Sequence, residues 1–192
     1  MSAVPVIPDD RNPSSNKTSE RRRELLNLAA QNGDTELLQL LVETHFTTIN
    51  PDCTDSELLH GTALHCAAGN GHADCLRILL SDGSIGVNTT ESHGRTALHM
   101  AIQNNHTECV QLLLSDSTTN VNATDSSGWT PLHTAVQNGN LECVKLLLSH
   151  PSILVNISDT QGNPPLALVQ ELNNLSDATK QEMISLFNQH RI

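Results

Sequence analysis

Apolar and polar residues follow a recurring order along most of the chain, and this order predicts pairs of short helices. Leu98, Ala101 and Ile102 have the i, i+3, i+4 spacing of one helix face. After a short turn, residues 109–113 place a Cys and two Leu on the buried face of a second helix. The polar, Gly-containing residues 115–128 then predict an extended loop, here called a finger. The predicted unit is helix, turn, helix, finger.

This unit repeats with a step of 34 residues. The segments 61–68, 95–102 and 129–136 are copies of one phrase, with Thr-(Ala/Pro)-Leu-His-x-Ala at its centre. The positions that share the step include His65, His99 and His133, then Cys75, Cys109 and Cys143, then Leu80, Leu114 and Leu148. Such a step is typical of solenoid proteins, in which each unit buries its apolar face against its neighbours.

Local signals mark the ends of the first helix in each unit. Thr62, Thr96 and Thr130 precede these helices, and Gly71, Asn105 and Gly139 follow them. A threonine hydroxyl can cap free N–H groups of a first turn, and Pro131 suits a first-turn position because its missing N–H costs nothing there. Glycine, or asparagine as a substitute, allows a left-handed turn between the two helices.

The segment 128–135, Gly-Trp-Thr-Pro-Leu-His-Thr-Ala, followed at 138–148 by Asn-Gly-Asn-Leu-Glu-Cys-Val-Lys-Leu-Leu-Leu, resembles the ankyrin repeat motif. The step is one residue longer than the family's 33, and the extra residue falls in the loop after the second helix, where insertions cost little. The resemblance implies an all-α fold, an ankyrin-repeat solenoid of antiparallel helix pairs with short hairpin fingers. It also implies hydrogen bonds between repeats from the motif histidines and core positions for the second-helix cysteines.

The flanking segments resemble weaker copies, as the capping units of a solenoid should. Residues 25–50 align, at an offset of 38, with the unit that contains the segment 61–68. Residues 161–190 continue the 34-residue register but lack the motif histidine. We therefore predict a disordered tail at 1–20, which is polar and rich in Pro, and an ankyrin repeat domain at 21–192. The five repeats are predicted at about 21–56, 57–90, 91–124, 125–158 and 159–190.

Composition and charge narrow the classes of partner. The chain has 192 residues, a formal net charge of −11 and only 2% aromatic residues. Residues 1–23 carry a net charge of +2 and the other 169 residues −13, so the folded body repels phosphate backbones. Five cysteines without a secretory signal favour a reducing compartment, and no apolar run is long enough to span a bilayer. We expect a monomer in the cytoplasm, with the nucleus as a further location, and a protein partner with a basic face. We expect no direct binding to nucleic acid or membrane.

Three clusters invite other interpretations. The histidines and cysteines suggest zinc, but they recur once per unit without a Cys-x-x-Cys pair, which favours structural roles and no metal. Cys66 beside His65 suggests nucleophilic catalysis, but adjacent helix residues point apart, so we predict no enzyme and no cofactor. Arg21-Arg22-Arg23 is typical either of a nuclear-import fragment or of a solvated helix start.

For partner binding, the resemblance implies the finger tips and the exposed side of each first helix, which would line one concave face. The predicted partner-binding residues are Leu58, Leu59, Gly69, Asn70, Ser92, His93, Arg95, Gln103, Asn104, Ser126, Ser127, Trp129, Gln137 and Asn138. Trp129 is the sole Trp, and Trp anchors dominate many interfaces, although packing on neighbouring fingers is the alternative. Leu58 and Leu59, in the lengthened first finger, either pack back onto the repeats or remain exposed for contact with a partner.

Two functions are compatible with this fold. The first is an adaptor, scaffold or inhibitor that docks a partner protein. The second is a substrate module, because Asn88, Asn122 and Asn156 each follow Val and lie eight residues after Leu. This arrangement resembles the sites of the asparaginyl hydroxylase of the oxygen-sensing pathway, although the usual acidic residue two positions before the Asn is absent. A bacterial effector that acts in a host cell would carry the same repeats.

Overall fold

The structure, a computed structural model, describes residues 13–43, 62–82, 85–173 and 175–190. These ranges contain ten helices and no strand. The helices are α1 (Pro13–Asn32), α2 (Thr35–Glu43), α3 (Ala63–Asn70), α4 (Ala73–Ser81), α5 (Ala97–Gln103), α6 (Thr107–Ser115), α7 (Pro131–Gln137), α8 (Leu141–Leu148), α9 (Pro165–Glu171) and α10 (Asp177–Gln189). The predicted helix, turn, helix, finger unit is confirmed.

The helices form five pairs that stack in chain order in two layers. Each odd-numbered helix, here called a first helix, packs on the next first helix, from α1 on α3 to α7 on α9. Each even-numbered helix, here called a second helix, packs on the next second helix, from α2 on α4 to α8 on α10. Among the described helices, the extensive contacts between units join neighbours, as in a solenoid, and the predicted all-α ankyrin fold is confirmed.

An aliphatic core runs through the stack between the two layers. Its repeated members include Leu64, Leu98 and Leu132, together with Ala67, Ala101 and Ala135, all between 0 and 2% exposed. A chain with so few aromatic residues therefore still builds a continuous core.

The turn between the two helices of a unit fits against the next unit. Gly71 has φ 77, and the ring of His106 lies against it, with Nδ1 only 2.5 Å from where a Cβ would stand. His106 Nε2 also lies 3.1 Å from the carbonyl oxygen of Gly69. In the next turn along the stack, Asn105 adopts the left-handed conformation (φ 60). Asn140, whose side chain is shorter than that of His106, faces this turn and donates a hydrogen bond from Nδ2 to Asn105 Oδ1 at 2.7 Å. The predicted exchange of Gly for Asn is confirmed.

Helix α1 differs from the sequence prediction at its start. It begins at Pro13, so residues 13–20 are helical where we predicted disorder, and residues 1–12 lie outside the described residues. Proline is well tolerated in a first helical turn, which allows the helix to begin at Pro13. Among the helices described, none is both long and apolar enough to cross a membrane.

Candidate functional site

Each described finger is a tight turn closed by backbone hydrogen bonds. The N–H of Glu91 donates to the carbonyl of Arg95 at 2.9 Å, and the N–H of Gly94 donates to the carbonyl of Glu91 at 2.9 Å. The same pair of bonds recurs in the next two fingers, which begin at Asp125 and Asp159. These fingers are the short hairpins that the ankyrin resemblance implies.

An acidic side chain holds each of these turns in shape. Asp125 Oδ1 accepts the N–H groups of Ser127 and Trp129, both at 2.8 Å. Glu91 and Asp159 accept the corresponding backbone N–H groups of their own fingers. This role was not predicted from the sequence, although an acidic residue recurs there at the 34-residue step. That recurrence is the signal that would have found it.

Glu91 also gathers three of the predicted binding residues into one network. Its side chain is 2% exposed, accepts from Arg95 Nε at 3.1 Å and lies 3.0 Å from His93 Nδ1. Burial favours a higher pKa for Glu91, but hydrogen bonds from Arg95 and His93 outweigh it and lower the pKa to about 2. Arg95 also donates to Gln103 Oε1 at 2.7 Å, which ties this finger to α5.

Neighbouring fingers are joined tip to tip by backbone hydrogen bonds. The N–H of Ser126 donates to the carbonyl of His93 at 2.8 Å, and the N–H of Thr160 donates to the carbonyl of Ser127 at 3.0 Å. The predicted binding residues His93, Ser126 and Ser127 therefore stand side by side in one row. Because the backbone itself links the tips, their relative positions are held in the absence of any partner.

The motif histidines join each first helix to the next finger. Nδ1 of His99 accepts the N–H of Thr96 at 3.2 Å, and Nε2 lies 3.1 Å from the carbonyl oxygen of Trp129. His65 and His133 make the same two contacts, to the carbonyl oxygens of Arg95 and Asn163 respectively. The predicted hydrogen bonds between repeats are confirmed. The threonines occupy the N-cap positions, and the Thr130 hydroxyl accepts the N–H of His133 at 3.4 Å.

This geometry requires the neutral imidazole that carries its proton on Nε2. A proton on Nδ1 of His99 would face the donating N–H of Thr96, and the ring is 0% exposed. Burial lowers the pKa of His99 to about 4 and also lowers the pKa of His133. Both rings are therefore neutral at pH 7, and each makes a fixed hydrogen bond to the next finger.

Trp129 lies half-buried between these elements. Its ring stacks on His133, with centroids 6.4 Å apart and an angle of 16° between the planes, and it packs against the core. The Trp129 side chain also favours the charged form of Asp159 and contributes to the lowered pKa of that carboxyl, after the backbone bonds from Asn163 and Gln161. The side chain therefore supports the finger row and keeps a partly exposed surface.

Other predicted binding residues also connect neighbouring repeats. Asn104 Nδ2 donates to the Gly69 carbonyl at 2.7 Å, and Asn138 Nδ2 donates to the Gln103 carbonyl at 2.9 Å. The predicted residues with exposed side chains are Asn70, Ser92, His93, Gln103, Asn104, Ser126, Ser127, Gln137 and Asn138. Leu58 and Leu59 lie outside the described residues. We call the finger tips and the exposed residues of the first helices the finger face.

The residues that suggested zinc or nucleophilic chemistry have structural environments. Within the described ranges, no three His, Cys, Asp or Glu side chains come together in a group that could hold a metal ion. Cys75, Cys109 and Cys143 are at most 1% exposed, in the predicted core positions. Burial raises the pKa of Cys109 and of Cys143 to about 11, so both thiols stay protonated at neutral pH.

The candidate hydroxylation residues lie in the loops after the second helices. Asn88 donates from Nδ2 to the Thr118 carbonyl at 2.7 Å and accepts the N–H of Asn120 at 2.6 Å. Asn122 makes the equivalent bonds to Ser152 and Leu154 of the next loop. Both carboxamides therefore link successive repeats. Asn88 and Asn156 are exposed, and Asn122 is half-buried.

Acidic side chains recur on the second helices, on the other layer of the stack. Exposed residues Glu36, Asp74, Glu108 and Glu142 stand in the first turns of α2, α4, α6 and α8, where a negative charge favours the helix. Arg77 pairs with Glu108 at 2.7 Å and with Asp74 at 3.7 Å. The predicted binding set itself contains no acidic residue, so the surface that these residues form is polar rather than acidic at short range.

Comparison with known proteins agrees with this architecture. A family model described as Ankyrin repeats (3 copies) matches residues 26–125 and 117–179. Cortactin-binding protein 2 from Aotus nancymaae, Ateles geoffroyi and Chlorocebus aethiops is in each case 43% identical over 60 residues. This match covers 31% of the present chain but only 3% of the length of each relative. Because the family model covers well over half of the chain, the protein belongs to the ankyrin repeat family.

Proposed function

We propose that this protein is a non-enzymatic adaptor, scaffold or inhibitor that docks a partner protein on its finger face. Ankyrin repeats are protein-interaction modules, and the similar cortactin-binding protein 2 is itself named for binding a protein. Only 60 residues are shared with that relative, so the proposal extends to protein binding and not to a particular partner. We take the module to act as a monomer in the cytoplasm or nucleus.

The backbone bonds between finger tips carry this proposal. They hold His93, Ser126 and Ser127 in one row before any partner arrives, so little conformational freedom is lost on binding. Exposed carboxamides of Gln103 and Gln137 stand on the adjoining first helices. Preorganised donors and acceptors beside the half-exposed Trp129 ring offer an aromatic anchor with a polar rim, an arrangement common at protein interfaces.

Charge acts on such a partner mainly at long range. The net charge of −11 attracts a partner with a basic face, while the finger face itself offers neutral hydrogen-bonding groups. Salt should therefore slow association by screening the acidic surface, and it should change dissociation much less. An on-rate that ignores salt would contradict the basic-partner proposal and leave finger-face docking to be tested separately.

Affinity capture with the intact chain, followed by mass spectrometry, identifies partners, and Trp129→Ala then tests the surface. Truncation of a central interface Trp typically costs about 2 kcal/mol, which is roughly a thirtyfold loss of affinity. Because Trp129 also stacks on His133, affinity must be measured on the folded fraction, with the melting temperature recorded beside it. A variant with a lower melting temperature but unchanged affinity would show that Trp129 stabilises the fold and does not contribute to partner binding.

A further inference from the structure

Three Asn-Gly pairs stand at the turns that end first helices. They are Asn32-Gly33 after α1, Asn70-Gly71 after α3 and Asn138-Gly139 after α7. Their backbones are alike, since the three glycines have φ values of 72, 77 and 67. All three asparagines are exposed. Because the pairs share one sequence and one turn geometry, a difference in their reactivity must come from their other contacts.

An Asn-Gly pair is the dipeptide at which asparagine most readily loses its side-chain amide. The main-chain nitrogen of the glycine attacks Cγ of the asparagine, and a C–N bond forms as that nitrogen loses its proton. The bond from Cγ to Nδ2 then breaks and ammonia leaves, and water opens the resulting succinimide ring at either carbonyl to give aspartate or isoaspartate. Glycine favours the attack because it has no Cβ to obstruct it. A hydrogen bond that holds the carboxamide away from this nitrogen slows the reaction.

Hydrogen bonds hold two of the three carboxamides. Asn70 Nδ2 donates to the carbonyl of Cys66 at 2.8 Å, one turn earlier in its own helix. Asn138 Nδ2 donates to the carbonyl of Gln103 at 2.9 Å, in the preceding repeat. The Asn32 carboxamide makes no hydrogen bond to any residue that the structure describes. A bond like that of Asn138 is not open to it, because no first helix precedes α1 among the described helices.

We propose that Asn32 is a site of spontaneous deamidation, which converts to aspartate or isoaspartate before Asn70 and Asn138 do. The reaction consumes one water molecule, releases ammonia and needs no enzyme. Its product carries a negative charge where the unmodified side chain is neutral. The net strength of one hydrogen bond corresponds to a difference in rate of about fivefold between the free and the bonded carboxamides.

Deamidation at this turn would disturb the contact between the first two repeats. Asn32 is the last residue of α1, whose last turn contains no basic side chain, so a new negative charge opposes the helix dipole. The Gln31 carbonyl oxygen lies 2.9 Å from His72 Nε2, and a Cβ at Gly33 would lie 2.7 Å from His72 Nδ1. Isoaspartate puts an additional carbon into the main chain between Gln31 and Gly33, so at least one of these two contacts must shift. Modified protein should therefore be less stable.

Peptide mapping of the full-length protein after incubation in mildly alkaline buffer tests the site. Cleavage after glutamate places each Asn-Gly pair on a peptide of its own, at 25–36, 58–91 and 109–142. Mass spectrometry follows the replacement of the amide by a carboxylic acid, and fragmentation assigns it to one residue. In the folded protein, Asn32 should convert about fivefold faster than the other two asparagines, or more. In urea, where the hydrogen bonds are lost, the three should convert at similar rates.

Urea unfolding of fresh and incubated samples tests the consequence for stability. Asn32→Gln blocks the reaction because attack on the longer side chain would have to form a larger ring, which closes slowly. Asn70→Gln is the matched control at the equivalent turn of α3. Incubation should lower the free energy of unfolding of the wild type and of Asn70→Gln, and it should leave that of Asn32→Gln at its fresh value.

Three results would overturn the proposal. Conversion of Asn32 no faster than that of Asn70 or Asn138 in the folded protein would show that the side-chain hydrogen bonds do not control the reaction. An unmodified Asn32 in the folded protein, when the unfolded protein converts, would show that the fold protects this residue as well. Equal loss of stability in incubated wild type and incubated Asn32→Gln would show that the modification does not weaken the first repeat.

Discussion

Acidification from pH 7.5 to 4.5 should destabilise this protein through its buried histidines, and His99 shows the mechanism most clearly. The ring is 0% exposed, its Nδ1 accepts the Thr96 N–H, and its Nε2 reaches the Trp129 carbonyl of the next finger. The folded protein therefore holds His99 neutral. The unfolded chain places the same ring in water, where it takes up a proton below its ordinary pKa.

The size of the effect follows from the two pKa values. Burial lowers the pKa of His99 from 6.5 to about 4. Because one pKa unit corresponds to about 1.4 kcal/mol, the folded state loses roughly 3 kcal/mol relative to the unfolded state as the pH falls from 6.5 to 4. The contribution of neutral His99 is fully present above pH 6.5. A loss of this size is a large fraction of the roughly 5–15 kcal/mol of a typical domain.

Urea unfolding at a series of pH values measures this loss, and His99→Gln supplies the test. Glutamine keeps a donor and an acceptor but does not titrate, so its variant should lose stability at neutral pH yet show a shallower fall between pH 6.5 and 4.5. The control is His190→Gln, because His190 is exposed at the end of α10 and should leave the profile unchanged. An equal slope in wild type and His99→Gln, or an NMR titration of the His99 ring near pH 6.5, would refute the reasoning.

Two further stability changes follow from the turns and fingers. Gly71→Ala should lower the free energy of unfolding by more than Gly162→Ala. Both residues have positive φ, but only a Cβ at Gly71 would meet the His106 ring. Equal losses in urea unfolding would show that the contact between the Gly71 turn and His106 does not matter for stability. The left-handed backbone alone accounts for about 1–2 kcal/mol in each variant. Glu91→Gln should cost about 2 kcal/mol, because a buried carboxylate loses its charge-assisted bonds to Arg95. The pKa of Glu91, about 2, places the corresponding wild-type loss between pH 4.5 and 2, so thermal melts in that range should show a shallower fall in the variant than in the wild type.

Much of the fold was predictable because a repeated core imposes a repeated sequence. The 34-residue step of His, Cys and Leu located the helix pairs, and Asn105 was correctly predicted to replace glycine in a left-handed turn. The predicted disordered tail at 1–20 overlaps the first eight residues of α1, which begins at Pro13, because a polar sequence there carries no apolar periodicity.

The candidate surface was less predictable because its residues act through backbone geometry. The acidic residues at 91, 125 and 159 bind N–H groups that converge only once the finger has turned, and their change from Glu to Asp obscured the repeat. Asn104 and Asn138 were predicted as binding residues, yet each already donates to the preceding first helix. Exposure and structural bonding coexist at such positions, and a sequence pattern does not separate them.

The central claim, that partners dock on the finger face, is tested most directly by one matched pair of variants in quantitative affinity capture. Gln137 lies at the exposed end of α7 on the finger face, and Gln111 is an exposed residue of the second helix α6. Arginine at either position should leave the melting temperature unchanged. We predict that Gln137→Arg reduces capture of the specific partner by about tenfold or more, equivalent to about 1.4 kcal/mol, while Gln111→Arg captures it as wild type does. Normal capture by Gln137→Arg together with loss in Gln111→Arg would place the docking surface on the second helices and contradict the account.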